Sequence, residues 1–144
     1  MIAVDTNILV YAQREDSPQH RPALQAIRAL AEGQRPWAVP WPCLHEFLAI
    51  VTHPRIYQPP TPVDTAVAAV AALIATPGFG PIGETDNHAS LLADLLRSGS
   101  IVGPRVHDAR IAAICLDHGV TELWTADRDF SYFPTLATRN PLVT

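Results

Sequence analysis

The sequence contains no lysine: all ten of its basic residues are arginine. Any contact with phosphate therefore rests on the planar guanidinium fork and not on a mobile ammonium. Acidic residues outnumber the basic ones, and the net charge of −4 argues against broad electrostatic adhesion to nucleic acid. Divalent ions bound at an acidic site would cancel part of that charge locally. Cysteine is equally scarce. Cys43 and Cys115 are the only two, each inside an apolar helical pattern, so buried thiols are expected, not a disulfide or a zinc site. Long apolar runs are missing as well. The longest weakly polar stretch, Val63 to Thr76, carries Asp64 and falls short of the roughly 20 residues that a membrane span requires. The N-terminal MIAVDTNILVYAQ has no basic start and no small-residue cleavage site, and Asp5 breaks its apolar run. No export signal is expected, and the reading is a cytoplasmic protein without a membrane association. No internal repeat is visible.

Charged residues make up only 17% of the chain against 48% apolar, which excludes disorder and leaves few charges to cover the surface. A partly apolar surface, and hence a partner, is expected. At 144 residues the chain has the size of one domain, taken here as residues 1–144. MIAV reads as a buried strand that stops at Asp5-Thr6, where a helix cap begins NILVYAQ. Helical spacing of Leu24, Ile27, Leu30 and Ala31 predicts a helix from about Gln19 to Glu32, stopped by Gly33. A short Trp37-Ala38-Val39 strand leads through Pro40 and Pro42 into the helix CLHEFLAIVT. The proline-rich His53–Pro62 segment is a surface loop. Helices are expected at Val63 to Thr76, at Thr85 to Ser98, and from Arg105 or His107 to His118. Gly78, Gly80, Pro81 and Gly83 read as punctuation between the first two, and a TELWTA strand precedes the turn Asp127-Arg128-Asp129. Strands alternating with helices imply an α/β fold with a mostly parallel sheet covered on both faces.

Within this pattern four carboxylates stand out. Asp5 is the only charge between Met1 and Gln13, and Glu46 is the only one between Trp37 and Thr52, on a helix apolar nearly all round. An unpaired carboxylate buried in such a helix costs several kcal/mol, so Glu46 requires compensation, for example from Arg110. Taken singly, Asp5 and Asp108 are adequately explained as helix caps and Asp127 as the start of an Asx turn. Their joint placement changes the odds. Asp5 and Asp127 each follow a predicted strand, and Asp108 sits near the start of the helix preceding the second of them, so all can converge on the strand ends where open α/β sheets bind ligands. Carboxylates without histidine or cysteine at metal-ligand spacing form an oxygen set for a hard cation, Mg²⁺ or Mn²⁺ in preference to zinc. Phosphodiester hydrolysis by activated water is the chemistry that follows, with no protein nucleophile.

Val4-Asp5-Thr6-Asn7, the isolated Glu46, His107-Asp108-Ala109 and Leu123-Trp124-Thr125-Ala126-Asp127-Arg128-Asp129-Phe130 occur in an order that resembles PIN-domain nucleases. More narrowly, the chain resembles the VapC toxins of bacterial toxin–antitoxin pairs, along essentially its whole length. The resemblance implies a three-layer α/β/α domain and a Mg²⁺- or Mn²⁺-dependent endoribonuclease cutting structured RNA such as tRNA or rRNA. It also implies a cognate antitoxin and a homodimer within the toxin–antitoxin complex. Asp5, Glu46 and Asp108 match the acidic triad and Asp127 the fourth acid, so these four are assigned as catalytic and metal-binding. Thr125 matches a hydroxyl position near the metal. Asp129, Thr6 and Asn7 are divided between a supporting role at the site and simple capping. Arg14, Arg105, Arg110 and Arg128 are the candidates for RNA contacts. His107 stands where many relatives carry asparagine and is assigned no catalytic part.

Two other readings compete. A phosphohydrolase with Asp5 as nucleophile, of the haloacid-dehalogenase kind, wants an aspartate two residues on and a lysine; Asn7 holds the first place and the chain lacks the second. A PIN-like module that binds RNA or protein without cutting has no reason to keep four isolated acids. The remaining histidines are scattered and are expected to be solvated or hydrogen-bonded. Trp37, Trp41 and Trp124 are read as core or interface residues, and Tyr57 as an exposed contact in the proline-rich loop.

Overall fold

Five short strands form a single all-parallel sheet in the computed structural model, which describes residues 1–143. They are β1 (Ile2–Val4), β2 (Trp37–Pro40), β3 (Phe79–Ile82), β4 (Glu122–Trp124) and β5 (Thr138–Arg139), ordered β3-β2-β1-β4-β5. Six helices connect them: α1 (Thr6–Gln13), α2 (His20–Glu32), α3 (Trp41–Val51), α4 (Val63–Ala75), α5 (His88–Gly99) and α6 (Arg105–Asp117). The right-handed rule for parallel crossovers takes the chain from β1 outward to β3 over one face and back to β4 over the other. The packing agrees: α1 rests on α2 and α3, α3 on α4, and α5 on α6. The result is three layers, α/β/α.

Sandwiching explains why the central strands are apolar without alternation. Ala3, Val4, Ala38, Val39 and Leu123 are fully buried, as a parallel sheet covered on both faces demands. The most deeply embedded helix is α6, where Ala109 and the run Ile111 to Cys115 are buried together. Cys43 and Cys115 are free and buried, as expected.

Two strands are absent from the sequence expectation. Gly80 and Pro81 lie in β3, which pairs with β2 from the sheet edge, where a missing proline N–H on the outward side costs nothing. The two-residue β5 closes the opposite edge, and both its residues are exposed, so no apolar pattern marks it. Helix α5 starts at His88 and not at Thr85, because Thr85 folds a turn first: its hydroxyl accepts from the Asn87 N–H at 3.2 Å. No helix among the described residues is long and apolar enough to cross a membrane.

Candidate active site

The chain steps from β1 to one side of the sheet and later returns to its other side as β4, so the direction of winding reverses between these two neighbours. Open parallel sheets bind ligands beyond the strand ends at such a point. Asp5 directly follows β1, Asp127 lies three residues after Trp124, and the Asp5 N–H donates to the Trp124 carbonyl at 2.9 Å.

Asp5 caps α1 and is buried, at 6% exposure. Its Oδ1 accepts from the Thr6 N–H at 2.8 Å and from the Cys43 thiol at 3.4 Å, and its Oδ2 accepts from the Thr125 hydroxyl at 2.7 Å. Burial pushes its pKa above the usual aspartate range; the donated bonds oppose that shift, and nearby Glu46 adds to it. The Cys43 thiol is itself pushed well up by burial and by Asp5, so it stays a proton donor. Thr125 joins the two strand ends, since the oxygen that donates to Asp5 also accepts from the Asp127 N–H at 2.9 Å. Asn7 adds a weaker link by accepting from the Ala126 N–H at 3.4 Å.

Glu46 differs from its expectation. Helix α3 is not buried all round: His45 and Glu46 are exposed, and Glu46 Oε2 accepts from the Thr6 hydroxyl at 3.2 Å. Arg110 does not compensate it, because that guanidinium pairs with Glu84 at 2.5 Å. The cost assigned to Glu46 disappears because the carboxylate is exposed at the open cleft.

Asp108, in the first turn of α6, is only half-buried, yet its pKa is pushed up to about 6. Burial is the largest cause, followed by repulsion from Asp127, Asp129, Asp5 and Glu46. A helix start favours a carboxylate by about 0.3–1 kcal/mol. The net direction is upward, so burial and repulsion win. Asp127 combines both roles considered for it. Its Oδ1 accepts from the Asp129 N–H at 2.8 Å, opening a 3-10 helix over Arg128–Tyr132, and its carboxylate also lines the cleft. Asp129 joins the cluster as well as the turn: one carboxylate oxygen each from Asp108, Asp127 and Asp129 lie within 4.8 Å of one another.

Asp5, Glu46, Asp108 and Asp127 thus line one cleft of about 250 Å³, with Thr6 and Asn7. Its donors are oxygen, and among the described residues its carboxylates are not neutralised by any arginine, which suits a hard divalent cation. The sequence does not reveal the opposite wall, where Tyr11, Ile50, Tyr57 and Ile111 contribute apolar surface. Nor does it single out Cys43, although its place three residues before Glu46 puts both on one face of α3. Among the candidate arginines, Arg14 pairs with Asp16 at 2.7 Å and lies 4.3 Å from the Tyr57 ring centre, bracing the proline-rich loop. Arg105 covers the Tyr132 ring at 3.9 Å, and Arg128 is exposed next to Asp127.

The sequence of residues 2–136 matches the PIN domain model. The chain belongs to the PIN-domain family. It is 34% identical to Ribonuclease VapC43 of Mycobacterium tuberculosis over 142 residues, covering 99% of this chain and 96% of that protein. Ribonuclease VapC31 of the same organism is 32% identical, with 94% and 95% covered. Among solved structures, the PIN fold here superposes on FitAB bound to an IR36 DNA fragment with a TM-score of 0.72 at 18% identity, covering 100% and 97% of the two chains. VapBC2 of Rickettsia felis, bound to a DNA fragment from its promoter, gives 0.66 at 20% identity, with 97% and 98% covered. M. tuberculosis VapC20, a Sarcin-Ricin loop cleaving toxin, gives 0.66 at 19%, with 91% and 93% covered. At these identities the superpositions establish the fold.

Proposed function

We propose that this PIN domain, taken as residues 1–144, is a Mg²⁺- or Mn²⁺-dependent endoribonuclease. In this reading it is the toxin of a toxin–antitoxin pair and cuts structured RNA of the tRNA or rRNA kind in the cytoplasm. The observation that carries the reading is the meeting of Asp5, Glu46, Asp108 and Asp127 in one cleft at the reversal point of the sheet. The sequence kinship with VapC ribonucleases supports RNA as the substrate class.

Asp5, Glu46, Asp108 and Asp127, which line one cleft, would hold the cation, and Asp129, whose carboxylate lies within 4.8 Å of those of Asp108 and Asp127, would join or support them. When bound, a divalent cation makes a water acidic enough to attack at neutral pH and offsets the negative charge on the scissile phosphate. The chain's own residues prepare for this. Thr125, Thr6 and Cys43 fix both oxygens of Asp5 by donated hydrogen bonds. The clustered charges that push Asp108 upward are the ones a cation would relieve. Tyr11, Ile50 and Ile111 add apolar surface to the lining of the cleft. The partner reading, a cognate antitoxin on a homodimeric toxin, is supported by apolar surface left open on α4, where Val63, Val67 and Ile74 are 65%, 53% and 46% exposed.

The test is incubation of purified, antitoxin-free protein with total tRNA and rRNA in Mg²⁺, in Mn²⁺ and in EDTA, beside Asp5→Asn. Discrete cuts that need metal and vanish in the variant are expected. A folded protein that leaves all RNA whole in either metal would reverse the reading in favour of a binding module.

A further inference from the structure

A second groove begins where the acidic cleft ends, with Asp127 forming part of both. Its volume is about 530 Å³, and Arg128, Ser131, Thr138, Arg139 and Asn140 line it. Its polar side chains are therefore largely donors, in contrast to the acceptors of the cleft. Neither Arg128 nor Arg139 forms an ion pair among the described residues, whereas Arg14 and Arg110, the arginines toward the other flanks of the cleft, are each bound to a carboxylate. Both Arg128 and Arg139 are exposed. Arg139 is held in place from beneath, its guanidinium carbon 5.4 Å from the Trp124 ring centre, and it sits on β5, hydrogen-bonded to β4 at the strand end that leads to Asp127. Such a cation on a rigid strand presents its fork at lower entropic cost than one on a mobile loop.

We propose that this groove binds the sugar–phosphate backbone of the RNA strand next to the scissile phosphate, with Arg128 and Arg139 as the phosphate contacts. The inference rests on the ribonuclease reading and adds the path of the strand. One phosphate lies at the carboxylate cluster, and the strand then crosses Asp127 toward the β5 edge. Arginine, hydroxyl and amide donors together match phosphate oxygens, contacts that position a strand without reading its bases. A chain of net charge −4 with an acidic cleft needs such a local cationic anchor.

The test is binding of a fluorescein-labelled, mixed-sequence RNA decamer to the full chain, with Asp5→Asn present throughout so that the RNA stays whole. Affinity is measured between about 50 and 200 mM salt. Each phosphate contact on a single strand contributes about 0.7 to the slope of log affinity against log salt. Arg139→Gln is expected to lower the slope by about 0.7 and the Arg128→Gln, Arg139→Gln double variant by about 1.4. Arg139→Lys, which keeps the charge and guards against loss of packing on Trp124, should retain the parental slope. An unchanged slope in the double variant, or no binding of the decamer by the Asp5→Asn chain, overturns the proposal. Failure of the ribonuclease reading is seen separately, as intact total RNA after incubation with the unsubstituted protein.

Discussion

Asp5 and Asp108 line the same cleft and both are pushed above the usual aspartate range by burial, yet the chain supports their carboxylates differently. Around Asp5 everything is fixed: the residue is buried, and Thr6, Cys43 and Thr125 occupy its two oxygens. Around Asp108 there is no comparable support. Though only half-buried, it is pushed up first by burial and then by repulsion from Asp127 and Asp129. One wall is therefore shaped by the scaffold, and the other is left electrostatically unsatisfied. Strain of this second kind is useful only if something positive arrives.

The largest effect should come from removing either acid. Asp108→Asn and Asp5→Asn should each lower RNA cleavage by more than about 100-fold, beyond the usual loss on deleting a group that merely supports a metal ligand. The metal-free proteins should then diverge. Asp108→Asn relieves repulsion and should raise the thermal midpoint, while Asp5→Asn places an amide N–H₂ or carbonyl among fixed donors and should gain less. Equal midpoint shifts would erase the distinction between the walls. Next in size, Thr125→Val removes the hydroxyl that serves both Asp5 and the Asp127 N–H. A loss of about 10- to 100-fold in kcat, with Mn²⁺ affinity weakened in step, is expected; unaltered kinetics would mean that packing alone positions Asp5.

The smallest effect concerns pH. Folded Asp108 takes up its proton near pH 6, whereas the unfolded residue does so near 3.8. Between those values the folded state binds more protons, so the contribution of Asp108 to stability falls as pH rises through about 4 to 6 and is constant above. Thermal midpoints of metal-free protein against Asp108→Asn across that window should show the difference between them widening with pH. A constant difference would place the repulsion elsewhere.

How much of this was legible without coordinates depends on range. The strands MIAV and Trp37-Ala38-Val39, the Asp5 cap and the acidic positions are local or periodic features, and the chain writes them plainly; Asp108, by contrast, does not cap α6, whose N-cap is Pro104, but sits within its first turn. Asp129 joins the acidic cluster but caps no helix: Asp127 is the cap, and its Oδ1 accepts from the Asp129 N–H. Glu46 was misjudged because its helix is apolar in composition, and composition does not say which face meets a cleft; the helix buried nearly all round is α6, despite its Arg105, Asp108 and Arg110. The edge strands escaped notice because Gly80-Pro81 and Thr138-Arg139 have no alternation to read. Cys43 against Asp5, and Arg139 beside Asp127, depend on contacts that only the folded sheet creates.

The pairing of β1 with β4 has a consequence for timing. Strand β1 is a central one, and its neighbour β4 is made long after it, so Asp5 waits for Thr125 across 120 positions. At synthesis rates of about 5–20 residues per second, the two ends of that hydrogen bond emerge on the order of ten seconds apart. A nascent chain therefore carries an incomplete cleft throughout that interval. A product truncated before residue 125 lacks the hydroxyl that joins the two halves of the site.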